Sequence, residues 1–193
     1  MVLVIDTSSA LSGLAVLDAG GGVAAEMVLQ SGRDLGLPGH VAALVDVRDL
    51  TAVAVALGPG SFTGLRVGAS YGLGLAMGRG IPLKGLSTLA LASERAPFPA
   101  LGLAEAGRGR VYWGTPGGPA SIAEAAEVPT QLPAAGWLRP ATAEGLRAAG
   151  VRLLDESELR SFGEAAARLF GGAPELGYDT VRLQYMQSFG PLR

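Results

Sequence analysis

Residues 57–68 read LGPGSFTGLRVG, and glycine returns at 72, 74, 78 and 80 before the next proline at 82. Ala52 to Leu57 is a continuous apolar run, the pattern of a strand buried on both faces of a sheet. Gly58-Pro59-Gly60 then makes a tight turn, because the glycines tolerate positive φ and proline holds φ near about −65°. Ser61 reads as an N-cap, so a helix is predicted from Ser61 to about Met77. A glycine loop between a strand and a helix N-terminus is a place where anions can bind. Here the lysine of GxxxxGK[ST] and the spacing of GxGxxG are both missing. Of the two readings, an anion site and a structural turn, the second is the stronger, and Gly58, Pro59, Gly60, Ser61 and Thr63 are taken as a structural loop. Along the helix Gly64, Gly68, Gly72 and Ala76 recur every fourth residue beside an apolar stripe of Phe62, Leu65, Ala69 and Leu73. Two buried faces imply two neighbours. Glycine inside a helix costs about 1 kcal/mol unless a close contact offsets it, so the smooth stripe packs either inside the subunit or against a partner chain.

Composition narrows the partners. With 193 residues, 49% of them hydrophobic, the chain can bury a real core in one large or two small domains. Fifteen basic and 17 acidic residues leave a net charge of −2, too little positive field to hold a polyanion unaided. The absence of cysteine excludes disulfides and thiolate chemistry, and the single histidine, His40, cannot build a two-histidine metal site. No apolar run approaches the roughly 20 residues needed to span a bilayer, and no leader-like segment opens the chain, so a cytoplasmic location is expected.

In chain order, Val2 to Ile5, Gly13 to Leu17 and Val23 to Leu29 read as three strands joined by the polar turn Asp6-Thr7-Ser8-Ser9 and by a glycine-rich turn. Asp6, Thr7 and Ser8 could face a phosphate or a metal-bound water, but a turn satisfying its own backbone is favoured. His40 to Val45 makes at most a short helix. Ile81 to Leu86 is strand-like, and Ser87-Thr88 cap an alanine-rich helix ending near Ala96. Pro97-Phe98-Pro99 cannot continue it and marks a domain boundary. Ala100 to Ala104 and Val111 to Trp113 form a second hairpin around Gly107 to Gly109, echoing the start of the chain. Thr142 to Ala149 and Glu156 to Phe170 read as helices, Gly171 to Tyr178 as a loop, and Val181 to Met186 as a final strand.

GPGSFTGLRVG at 58–68, with VLVIDTSS at the start, GLSTLALA at 85–92, RVYWG at 110–114 and the closing QYMQSFG, resembles the TsaB (YeaZ) family. The resemblance implies an α/β chain of the actin/Hsp70-like (ASKHA) fold, two similar αβ halves with mixed sheets. Residues 1–97 would form the N-terminal half with the glycine loop and a dimerisation helix, and 98–193 a degenerate C-terminal half whose tail can pack back on the first. It implies a non-catalytic subunit of the machinery that forms N6-threonylcarbamoyladenosine at position 37 of ANN-decoding tRNAs. Its partners would be a catalytic TsaD-like homologue and a TsaE-like ATPase, with a homodimer when alone and tRNA met only through the complex. ATP and threonylcarbamoyl-AMP would be handled by those subunits, leaving this chain without cofactor, metal or catalytic residue. The partner interface is assigned to Phe62, Gly64, Leu65, Gly68, Tyr71 and Gly72, and the weak cleft candidates are Asp6, Thr7, Ser8 and Glu105. Three departures from the family pattern stand out. The histidine pair of the catalytic homologue is missing, Glu105, Gly107 and Arg110 stand where the second hairpin usually has Asp, Arg and Glu, and the segment before the glycine loop is short. The alternative is a stand-alone ASKHA-type ATP-dependent or protease-like enzyme, for which Asp6 and Glu105 are the cleft acids. An independent RNA-binding protein is disfavoured by the acidic balance and by the lack of an aromatic and basic cluster.

Overall fold

The computed structural model describes residues 1–32 and 36–185. Strands β1 (Val2–Asp6), β2 (Leu11–Leu17) and β3 (Val23–Gln30) form an antiparallel meander. After helix α1 (Leu37–Leu44), strand β4 (Ala52–Ala56) pairs parallel to β1, with Val2 opposite Ala52. Helix α2 (Phe62–Arg79) and strand β5 (Leu83–Leu86), parallel to β4, complete a crossover. Every residue of β1 and β4 is buried, as their unbroken apolar runs require for strands covered on both faces. β3 lies at the sheet edge and alternates half-buried with exposed residues.

Helix α3 (Thr88–Glu94) leads to a second sheet built on the same plan. Strands β6 (Leu101–Gly107), β7 (Arg110–Gly114) and β8 (Ser121–Ala123) meander antiparallel, and the short β9 (Ala134–Ala135) adds parallel to β6. The order β8-β7-β6-β9 therefore repeats β3-β2-β1-β4. Helices α4 (Pro140–Ala148) and α5 (Phe162–Phe170) follow, and β10 (Glu175–Leu176) returns to pair antiparallel with β5 at the edge of the first sheet. Pro97 thus falls between β1–β5 and β6–β9, and β10 alone of the later strands returns to the first sheet. Leu146 of α4 fills the core of the second sheet with Leu101, Leu103 and Val111. Phe162 and Ala166 of α5 pack instead on the first, with Val4, Ala15 and Ala54. Gly13 makes room for the Phe162 ring, which any Cβ there would strike.

Helix α2 begins where expected. Ser61 Oγ accepts from Gly64 N at 3.3 Å, and Gly80, at φ 63°, closes the C-terminus in the left-handed region that glycine tolerates. The glycine stripe is a correction. A Cβ at Gly64 would fall on the Thr7 carbonyl oxygen, one at Gly68 would lie 2.5 Å from Thr7 Oγ1, and one at Gly72 would fall on Val55 Cγ1. Gly64, Gly68 and Gly72 therefore let α2 lie directly on β1 and β4 of its own chain. Leu65 is fully buried and Tyr71 half-buried against the same core. Of the six residues assigned to a partner, Phe62 alone is exposed, at 38%. A periodic run of small residues requires a close neighbour and is silent on whether that neighbour is a helix or a sheet.

Two further expectations change. The helix expected over 156–170 is broken: one turn at Glu156–Glu158 ends at Leu159, and Ser161 starts α5 with a capping box to Glu164. The break lets Arg160 N donate to Arg95 O across the halves, at 2.7 Å. Residues 181–185 form no strand, although Gln184 N donates to Leu57 O at 2.8 Å; Met186 lies outside the described residues.

Candidate functional site

Asp6 ends β1 with 3% exposure. Its Oδ1 accepts from Ser8 N at 2.8 Å and from Ser8 Oγ at 2.6 Å, the Asx turn that was the favoured reading. Ser8 Oγ also shares a 2.9 Å hydrogen bond with Thr88 Oγ1 on α3, while Thr7 Oγ1 donates to Gly64 O at 2.6 Å and Ser61 N to Ser8 O at 2.7 Å. The turn thus ties β1 to both α2 and α3. Burial raises the Asp6 pKa, against the two hydrogen bonds from Ser8 that lower it. The space beside it is a cavity of about 10 Å³ lined by Asp6, Ser9, Thr88, Arg95, Trp137 and Phe162, the size of one water. Arg95 is buried there, its guanidinium 5.0 Å from the Trp137 ring centre and paired with Glu156.

The open part of the cleft lies between the glycine loop and the second hairpin. It encloses about 240 Å³ and is lined by Gly60, Ser61 and Phe62 on one side, by Glu105, Gly107 and Tyr112 on the other, and by Arg139 and Tyr185. Glu105 is spent at the start of α4: Oε1 accepts from Arg139 N at 2.7 Å and Oε2 from Thr142 Oγ1 at 3.2 Å, where a negative charge suits the helix dipole. Asp6 and Glu105 are therefore far from forming one acid pair, and each is held by its own chain's donors. Arg66 lies 3.8 Å over the Phe62 ring, and its Nε donates to the Tyr185 hydroxyl at 3.2 Å. Sequence reasoning missed Arg66, Arg139 and Tyr185. They come from positions up to 119 residues apart, and nothing in their local patterns marks them.

The outer face of α2 carries what the inner face does not. Val67 is 42% and Met77 54% exposed, Ser70 and Gly74 are exposed with them, and a Cβ at Gly74 or Gly78 would meet nothing within 4 Å.

Residues 41–131 match the family model TsaD, tRNA N6-adenosine threonylcarbamoyltransferase. The tRNA threonylcarbamoyladenosine biosynthesis protein TsaB of Escherichia coli is 40% identical over 70 residues, 34% of this chain and 30% of that protein. TsaB of Buchnera aphidicola is 35% identical over 77 residues, 37% of each. These matches, each over part of the chain, support membership of the TsaB/YeaZ family. A tRNA N6-adenosine threonylcarbamoyltransferase of Granulibacter bethesdensis is 35% identical over 123 residues, 52% of this chain and 33% of that enzyme. The matches thus span about a third of the length of these curated relatives. YeaZ from Pseudomonas aeruginosa superposes with a TM-score of 0.75 over 96% of this chain and 99% of that one, at 21% identity, so the two share one fold. The duplicated sheet order is that fold's two halves.

Proposed function

We propose that the chain is a non-catalytic subunit of the machinery forming N6-threonylcarbamoyladenosine at position 37 of ANN-decoding tRNAs. It would pair with a TsaD-like catalytic homologue and work with a TsaE-like ATPase, in the cytoplasm, meeting tRNA within that assembly. The observation that carries this is the commitment of both cleft acids: Asp6 is closed over by Ser8 and a water-sized cavity, and Glu105 caps α4. Neither carboxylate is placed to activate a nucleophile or hold a metal, which leaves binding as the task. ATP and threonylcarbamoyl-AMP fall to the partners. Among the described residues no helix is long and apolar enough to cross a membrane.

The surface offered to the homologue, or to a second copy in its absence, is the outer face of α2: Val67, Ser70, Gly74 and Met77, with Phe62 at its start. Its small residues let another helix approach closely, and its exposed apolar groups gain by being covered. The test is the threonylcarbamoyladenosine content of tRNA, measured by mass spectrometry of nucleosides, in cells depleted of the chain. Loss of the nucleoside, restored by the native chain, is expected; unchanged content sinks the reading.

A further inference from the structure

Six arginines of the described residues are ion-paired, and they are Arg48, Arg95, Arg147, Arg152, Arg160 and Arg168. Of the described arginines outside these pairs, Arg79 donates to Arg48 O and Arg182 to Val181 O, while Arg139 lines the open cleft and Arg66, Arg108 and Arg110 are neighbours of residues that line it. Arg66 stands over Phe62 at its mouth. Arg108 follows the lining residue Gly107 at the hairpin tip, exposed and at φ 55°. Arg110 pairs with Gly107 across the hairpin and shares a face of β7 with Tyr112, two residues on. The one carboxylate in the lining, Glu105, has both oxygens engaged by the first turn of α4, accepting from Arg139 N and Thr142 Oγ1. Four of the six described arginines outside ion pairs thus stand at one opening of an acidic chain. Tyr185 stands in that opening 42% exposed, its hydroxyl held by Arg66. At about 240 Å³ the space is below the roughly 300 Å³ where pockets for drug-sized ligands begin, room for one base and not for a duplex.

We propose that this cleft grips an unpaired stretch of the RNA substrate, the arginines on successive phosphates and the Tyr185 ring stacked on a base. The inference rests on the tRNA reading above and adds a contact surface to it. Phosphate contacts of this number give weak, salt-sensitive binding by the chain alone, which the assembled complex would strengthen through its other contacts.

Fluorescence anisotropy tests it with the full chain at about 50 mM salt, where screening is weak. The probes are a labelled RNA stem-loop with an unpaired loop, the same strand closed into a duplex, and AMP. The stem-loop should bind more tightly than the duplex or AMP. Combining Arg110→Glu with Arg139→Glu should flatten the salt dependence by about 1.4, two phosphates at about 0.7 each. Tyr185→Ala should weaken binding about five- to a hundredfold without changing that slope, and Tyr185→Phe, which keeps the ring, should bind nearly as the native chain. Arg152→Glu, outside the cleft, should have no effect. Native-like binding by the arginine and Tyr185→Ala variants overturns the proposal, as does equal affinity for stem-loop and duplex or tighter binding of AMP. The measurement involves no partner protein, so it fails separately from the nucleoside assay: intact cleft binding with unchanged cellular modification counts against the functional reading alone.

Discussion

Adding one methyl group to α2 should have opposite effects at Gly64 and Gly74. At Gly64 the new carbon lands on the Thr7 carbonyl oxygen, a backbone atom fixed by the Asx turn, and the helix must lift off β1. Gly64→Ala is expected to destabilise the monomer by about 3 kcal/mol, the upper end of ordinary overpacking. At Gly74 nothing lies within 4 Å, so Gly74→Ala should stabilise it by up to about 1 kcal/mol through helix propensity. Thermal melting of the two variants checks both signs, and a neutral Gly64→Ala would mean that α2 does not sit on β1 as described. Asp6 carries a pH signature of its own. Its pKa is raised because burial disfavours the charge, so the stability present below the ordinary value of 3.8 is lost as pH rises through the folded value. Asp6→Asn keeps an oxygen for both Ser8 donors and stays neutral. Its melting temperature relative to the native chain should therefore climb with pH above about 4 and level off once Asp6 is ionised. A difference that is flat across acid and neutral pH would remove the buried charge from the account.

At the scale of elements, α2 has an inner face that its own sheet consumes and an outer face that is exposed and is the proposed interface. Val67→Asp and Met77→Asp should leave melting nearly unchanged, since both side chains are exposed, and should weaken association with the catalytic homologue and with a second copy. Sedimentation equilibrium and co-elution report this; undiminished association would move the interface off α2. The start of this helix was legible, because Ser61 follows a glycine-proline turn and caps it, and so was the start of α3 at Ser87. The break before α5 was readable too, as Ser161 and Glu164 have capping-box spacing, but the apolar periodicity running through 156–170 hid it. Residues 181–185 have strand composition and no ladder. Tyr185 is turned to α2 and the cleft, and Gln184 makes a single backbone hydrogen bond to Leu57.

For the whole molecule, the Pro97 boundary marks the passage between two copies of one sheet plan, while α5 and β10 cross back to the first. Arg95, Arg160 and Glu94 bind that return: Arg95 Nε donates to Arg160 O at 3.1 Å, and Arg160 Nη1 to Glu94 O at 2.9 Å. With Trp137, Phe162 and Arg95 packed around Asp6, the cavity beside that carboxylate has no room for a nucleotide. The isolated chain is therefore expected to bind ATP more weakly than micromolar and to transfer no threonylcarbamoyl group. Calorimetry giving a micromolar or tighter Kd would contradict this.

Sequence alone determined the strand, glycine turn and capped helix at 52–77, the meander that opens each half, and the resemblance to the TsaB/YeaZ family, because these depend on local backbone preferences and on short motifs. It also determined that α2 needs a close neighbour, since four small residues at helical spacing are unfavourable without one. Only the tertiary structure decided that the neighbour is β1 and β4, which turned the candidate interface to the opposite face of the helix. Only the tertiary structure gathered Arg66, Arg110, Arg139 and Tyr185 around one cleft, because charge and aromatic clusters of this kind are set by which loops and chain ends the sheets bring together, and that information is not carried by neighbours in sequence.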